Sequence, residues 1–178
     1  MSVPAPPDPS GPGLPAAASE LDVLVRESTG QAAPSVLRCR TVAQGHFQQL
    51  TYVRDLPPYA IEQRLGPAGD GTAPTPAEAL LAALGSCIAV GVHANAIARA
   101  IPIKSLHLDL EADFDPTAVW GVVNVNPGKI GFNSVRVVAH IEADAPRAVL
   151  EALLSHVVLW SPVSNTIYNP VHIEAVVA

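Results

Sequence analysis

Apolar and polar positions alternate along one stretch of the chain: Leu106, Leu108, Leu110, Ala112 and Phe114 against His107, Asp109, Glu111 and Asp113. A period of two predicts a strand with one buried face. Val135, Val137, Ala139 and Ile141 mark the next strand, and Val171, Ile173, Ala175 and Val177 a last one. Nearer the N-terminus, Leu21–Arg26, Val36–Val42 and Phe47–Val53 read as three strands, divided by turns containing Gly30 and Gly45. Arg54–Thr75, with Pro57, Pro58, Gly66, Pro67, Gly69, Gly71 and Pro74, reads as a long loop, and loops of that kind usually cover or serve a site. A second long loop is expected over Asp115–Asn133.

Two helices interrupt the strands. Thr75-Pro76-Ala77-Glu78 has a threonine cap, proline at the first helical position and glutamate at the third, the arrangement of a capping box. The helix behind it, Ala79 through Val92 and ending before Pro102, is apolar nearly all round and is therefore expected to be central and buried. Asp144–Trp160, with Pro146 near its start, is the second helix. The expected order is β-β-β-α-β-β-α-β. Runs of strands separated by few helices argue an α+β fold rather than a doubly wound sheet.

The 178 residues suffice for one domain with an apolar core. Hydrophobic residues are 49% and charged residues 15%, so the body of the chain is foldable. Residues 1–19 differ: they are mostly Pro, Ala, Gly and Ser, and read as a solvated tail ahead of a folded domain over residues 20–178. The net charge of -6 gives no basic footprint, which argues against nucleic acid and against an anionic membrane surface. The apolar stretch Ala79–Ala98 contains Ser86, His93 and Asn95 and reads as a soluble core helix rather than a membrane span. Cys39 and Cys87 cannot make a disulfide scaffold, and no Cys/His cluster has zinc spacing. No secretory signal pattern opens the chain, so a reducing cytoplasm is the expected compartment.

Pro76-Ala77-Glu78-Ala79-Leu80-Leu81-Ala82-Ala83-Leu84-Gly85-Ser86-Cys87 resembles the signature of the OsmC/Ohr family, and Ser161-Pro162-Val163-Ser164-Asn165-Thr166, followed by Asn169-Pro170-Val171, is similar to its second motif. The resemblance spans roughly Val36 to the C-terminus. Peroxidase members carry a second, resolving cysteine directly before that proline. Ser161 stands there in this chain, as in the single-cysteine OsmC-like branch. The resemblance implies antiparallel sheets packed around a central buried helix and an intertwined homodimer with two interface sites. It also implies a thiolate that attacks an organic hydroperoxide, assisted by a strand arginine and a glutamate near the helix start.

Carried onto this sequence, Cys87 is the candidate nucleophile, with Arg38 or Arg40 as candidate activating cation and Glu78 as the acceptor that would hold it. A thiolate is required, and free cysteine titrates near about 8.5. Cys87 lies about three turns inside its helix, beyond the reach of the helix dipole, and its helix neighbours are apolar. On local chemistry alone it reads as a small core residue rather than a nucleophile, and it is the motif position given by the resemblance that reverses this. Arg38 and Arg40 share one strand face and also read as exposed strand charge; Arg54 is a further candidate. Glu78 has a competing role as the third residue of the capping box. In peroxidase members the glutamate adjoins the proline, and a one-residue shift turns a helical side chain by about 100°.

Ser161 cannot form a disulfide, so an intramolecular two-cysteine cycle at these positions is excluded and an external thiol is the expected reductant. Cys39 reads as packed within its strand. His107, Asp109 and Glu111 form a row that reads as a solvated face rather than metal ligands, and His93 reads as a satisfied core histidine. Trp120 and Trp160 read equally as pocket cover or core. No cofactor or metal is expected. The sequence thus points to peroxiredoxin-like reduction of hydroperoxides at Cys87. The rival reading is a non-peroxidase dimer that binds a small apolar molecule at the same pocket.

Overall fold

The structure, a computed structural model, describes residues 36–45, 47–63, 71–114 and 130–177. The described residues fall into two compact units, the first ending at Ala83 and the second beginning at Leu84. The expected tail, the strand Leu21–Arg26 and Trp120 lie outside the described residues.

The first unit contains a three-stranded antiparallel sheet of β1 (Cys39–Gly45), β2 (Gln48–Val53) and β3 (Tyr59–Glu62), in that order. Gly45 sits at a bulge with φ +92°, a region open to glycine, and lets the chain reverse into β2. Phe47, expected inside a strand, instead closes this turn with φ 62°. Thr41 and Thr51 face each other across β1 and β2 with hydroxyls 3.1 Å apart. The loop expected over Arg54–Thr75 is interrupted by β3: Tyr59–Glu62 is short enough that the surrounding prolines and glycines hid it. Glu62 is buried; its Oε1 accepts from the Gly71 amide at 3.2 Å, and its Oε2 has no hydrogen-bond partner among the described residues.

α1 (Pro76–Ala98) begins as the sequence predicts. The Thr75 amide donates to Glu78 Oε2 at 2.7 Å, and the Glu78 amide donates to Thr75 Oγ1 at 3.2 Å. Its end is also well defined. The Ile101 amide donates to the Ala96 carbonyl and the Ala100 amide to the Ile97 carbonyl, the two bonds of a Schellman motif. Ala100, at φ 52°, occupies the left-handed position usually held by glycine, and Pro102 follows.

In the second unit, β4 (Ile103–Phe114) and β5 (Phe132–Ala143) form a long antiparallel ladder. Alternation puts Leu106, Leu108 and Leu110 on the half-buried face and His107, Asp109 and Glu111 on the exposed one. α2 (Arg147–Trp160) starts after Pro146 rather than at Asp144, because Pro146 itself is extended at ψ 144° and takes the cap position. α3 (Pro162–Tyr168) follows after the single residue Ser161. Residues 171–177, expected as a last strand, form no ladder among the described residues; Ile173 and Val176 stand exposed.

The core of this unit lies along one stripe of α1. Leu84, Ile88, Val92 and Ala96, spaced by four, are buried, as are Leu153 and Val157 of α2. Two glycines bring neighbours close. A Cβ at Gly85 would lie 2.8 Å from Leu110 Cδ1, and one at Gly91 would lie 2.5 Å from Val157 Cγ1. The expectation that α1 is buried all round is corrected within the chain: Leu80 is 45% and Val90 69% exposed. By length and hydropathy α1 could cross a membrane, but its buried stripe packs against β4 and α2 as a core helix does.

Candidate functional site

Cys87 lies mid-helix in α1, half-buried, one residue before Ile88 and three after Leu84. Ser161 is the one-residue link between α2 and α3 and is 4% exposed. Pro162 at the first helical position and Ser161 as cap start α3 for the same reason that Thr75-Pro76 starts α1. The Ser164 amide donates to Ser161 Oγ at 3.1 Å, and the Ser161 hydroxyl donates to Cys87 Sγ at 3.2 Å. One oxygen therefore caps a helix and meets the sulfur. Because the amide uses one of its lone pairs, the hydroxyl proton is free to point at Cys87. Asn165 secures the link: its side-chain amide donates to the carbonyls of Leu159 and Ser161 at 2.8 and 2.9 Å.

A cavity of about 520 Å³ adjoins this link. Leu84 and Ile88 line it from α1, Phe132 and Val137 from β5, Val158 from α2 and Ser164 from α3. The lining is predominantly apolar. Ser164 contributes a polar atom to this region: its Oγ is enclosed and has no hydrogen-bond partner among the described residues.

Of the other expected residues, Arg38, Cys39, Arg40, Arg54 and Glu78 belong to the first unit and His93 and Trp160 to the second. Arg38 precedes β1 and Arg40 lies within it opposite Tyr52; both are exposed, and neither forms an ion pair among the described residues. Arg54 is exposed in the β2–β3 turn with φ 54°. Glu78 is exposed at the start of α1, where its carboxylate serves the capping box. Cys39, expected to pack within its strand, is exposed at the first position of β1. His93, expected to be satisfied, has an enclosed Nδ1 without a hydrogen-bond partner among the described residues. Trp160 is 71% exposed and, among the described residues, neither lines the cavity nor packs into the core.

Ser164 escaped the sequence reading, as did the helix that holds it. The signal was present in Ser161-Pro162, which repeats the cap-and-proline start of α1. Ser134 also lines the cavity, and its hydroxyl donates to Asp113 Oδ2 across the β4–β5 ladder at 2.6 Å.

These features define an α+β protein whose core helix carries a cysteine in contact with a buried hydroxyl. Residues 69–176, more than half of the chain, match the family model described as OsmC-like protein, and the chain belongs to that family. Solved structures share the fold. An OsmC-like protein from Mycoplasma pneumoniae is 15% identical, with 76% of this chain and 89% of that one covered and a TM-score of 0.64. An organic hydroperoxide resistance protein OsmC from Legionella pneumophila is 19% identical over 76% and 90% of the two chains, with a TM-score of 0.56. The organic hydroperoxide resistance protein OhrB of Bacillus subtilis is 15% identical over 75% and 90%, with a TM-score of 0.52. A comparison with curated proteins finds no match.

Proposed function

We propose that this OsmC-like protein is a single-cysteine, thiol-dependent reductase of organic hydroperoxides, acting as a cytoplasmic homodimer with Cys87 as nucleophile. The observation that carries the reading is the contact between Ser161 Oγ and Cys87 Sγ beside an apolar cavity. A hydroxyl aimed at the sulfur makes a charge-assisted hydrogen bond to a thiolate, and the cavity suits the alkyl part of the substrate. The Legionella and Bacillus proteins of the same fold are organic hydroperoxide resistance proteins, which supports this reading.

In this mechanism the Cys87 thiolate attacks one oxygen of the hydroperoxide. The S–O bond forms as the O–O bond breaks, and the alkoxide leaves and takes a proton to become an alcohol. The sulfur is oxidised to a sulfenic acid. Ser161 cannot resolve it, so an external thiol attacks the sulfur, expels water and leaves a mixed disulfide. A second thiol releases Cys87 and departs as the disulfide. Arg40 or Arg38 supplies the cation, and the dimer covers the apolar flank of α1 that includes Leu80 and Val90. Stopped-flow consumption of an alkyl hydroperoxide with dithiothreitol should be measurable for the wild type and absent for Cys87→Ser. Unchanged consumption in that variant would remove the proposal. A sedimentation mass of one chain would remove the dimer.

A second reading follows from the cavity itself. Its lining is predominantly apolar and, among the described residues, does not include Cys87, which suits retention of a small apolar molecule without sulfur chemistry. Ligand binding that survives Cys87→Ser, with no hydroperoxide consumption by the wild type, would select it.

A further inference from the structure

We propose a divalent transition-metal site on the exposed face of the β4–β5 ladder, formed by His107, Asp109 and His140. His107 and His140 are direct cross-strand partners in the ladder, and Asp109 lies two residues from His107 on the same face. The two imidazole rings stack with centroids 4.3 Å apart and planes within 8°. His140 Nε2 lies 3.1 Å from Asp109 Oδ2. One ligand atom from each residue falls within 4.8 Å of the other two. Directly opposed strand residues bring side chains together, and diagonal ones remain within reach of long side chains, so the ladder itself assembles this group.

The donor set and spacing fit a borderline cation such as zinc, nickel or copper(II). Two imidazoles and one carboxylate are ligands those ions accept, with the remaining positions left to water. A zinc ion stands about 2 Å from each nitrogen or oxygen, which places tetrahedral ligand atoms about 3.3 Å apart. The His140–Asp109 pair is already at that separation. His107 closes the rest by side-chain rotation, for which its exposed position leaves room. Glu111 and Glu142 on the same exposed face add negative charge, against Arg136 opposite Glu111. Rigid paired strands fix the Cα positions, which a loop would not. The sequence row His107, Asp109, Glu111 lacked the decisive member: His140 joins only through the register of β5. This site is independent of the chemistry proposed at Cys87.

Zinc chloride titrated calorimetrically into the full chain tests the site, with Cys39→Ser as background to remove the exposed thiol. The expected result is saturable binding of one ion per chain, lost in His107→Asn and in His140→Asn, weakened roughly tenfold in Asp109→Asn and unchanged in His172→Asn. Imidazole nitrogen resonances give a second reading that needs no variant to fold: zinc should shift those of His107 and His140 and leave those of His93, His156 and His172 in place. Zinc should also raise the melting temperature, because it ties β4 to β5 in mid-ladder. Absence of saturable binding, binding that survives both histidine variants, or shifts confined to other histidines would each overturn the proposal.

Discussion

Ser161 Oγ stands 3.2 Å from Cys87 Sγ while accepting the Ser164 amide at 3.1 Å. The same hydroxyl thus has a structural task and a chemical one, and the two can be separated. Ser161→Ala removes both and should cost about 1 kcal/mol of stability through the lost cap. Ser161→Gly removes the hydroxyl but keeps most of the cap's conformational role, so its stability should fall by only a few tenths of a kcal/mol. If the hydroxyl supports the reacting sulfur, both variants should lose about tenfold in the single-turnover rate with an alkyl hydroperoxide. Equal rates in wild type and Ser161→Gly would confine Ser161 to capping.

The same distance makes a covalent prediction. Ser161→Cys places a second sulfur where Oγ now lies, and a shift of about 1.2 Å converts that separation to a disulfide bond length. Mild oxidation of the variant should join Cys87 to residue 161 within one chain, seen as a cross-linked peptide pair by mass spectrometry. Both residues lie within one compact unit, so the link would not need a second chain.

How much of this was legible beforehand depended on whether the signal was local. The start of α1 could be read because Thr75, Pro76 and Glu78 carry the capping box within four residues. β4 could be read because its alternation runs through the whole segment. β3 could not, since four residues among prolines and glycines carry too little pattern. The burial of α1 was overstated because an apolar residue shows that it can be buried, not that its own chain buries it. At the site, motif resemblance singled out Cys87 and Ser161, but Ser164 and the partnership of His140 with Asp109 depend on tertiary placement and register.

Gly85 and Gly91 lie on the same helix yet should respond differently to alanine. Either substitution gains up to about 1 kcal/mol of helix propensity. At Gly85 the added Cβ meets the end of Leu110, which can rotate aside. At Gly91 it meets Val157, a β-branched residue that is 2% exposed and has little χ1 freedom in α2. Overpacking there costs about 1–3 kcal/mol. Gly91→Ala should therefore lower the urea midpoint and Gly85→Ala should leave it nearly unchanged. Equal midpoints for the two variants would mean that Val157 gives way as easily as Leu110.

Ala100 offers a stabilising substitution. Its φ of 52° places an L-residue in the left-handed region, which costs roughly 1–2 kcal/mol relative to glycine. Glycine also loosens the unfolded chain, by about 0.4–1 kcal/mol. The net gain for Ala100→Gly is roughly 0–1.6 kcal/mol, centred at about 0.8, with the Schellman bonds to Ala96 and Ile97 retained. Chemical denaturation should show a higher midpoint at unchanged slope.

Glu78 is the residue on which two roles compete most directly. As the third residue of the capping box it needs only an acceptor oxygen, and glutamine supplies one. As a holder of Arg38 or Arg40 it needs its negative charge. Glu78→Gln should therefore leave stability within about 0.5 kcal/mol of wild type, whereas Thr75→Ala should lose about 1 kcal/mol. The hydroperoxide rate then decides the second role. A rate unchanged in Glu78→Gln assigns this carboxylate to the helix start alone, as its bond to the Thr75 amide at 2.7 Å favours. A rate that falls tenfold or more, with stability intact, would mean that its charge acts on the site.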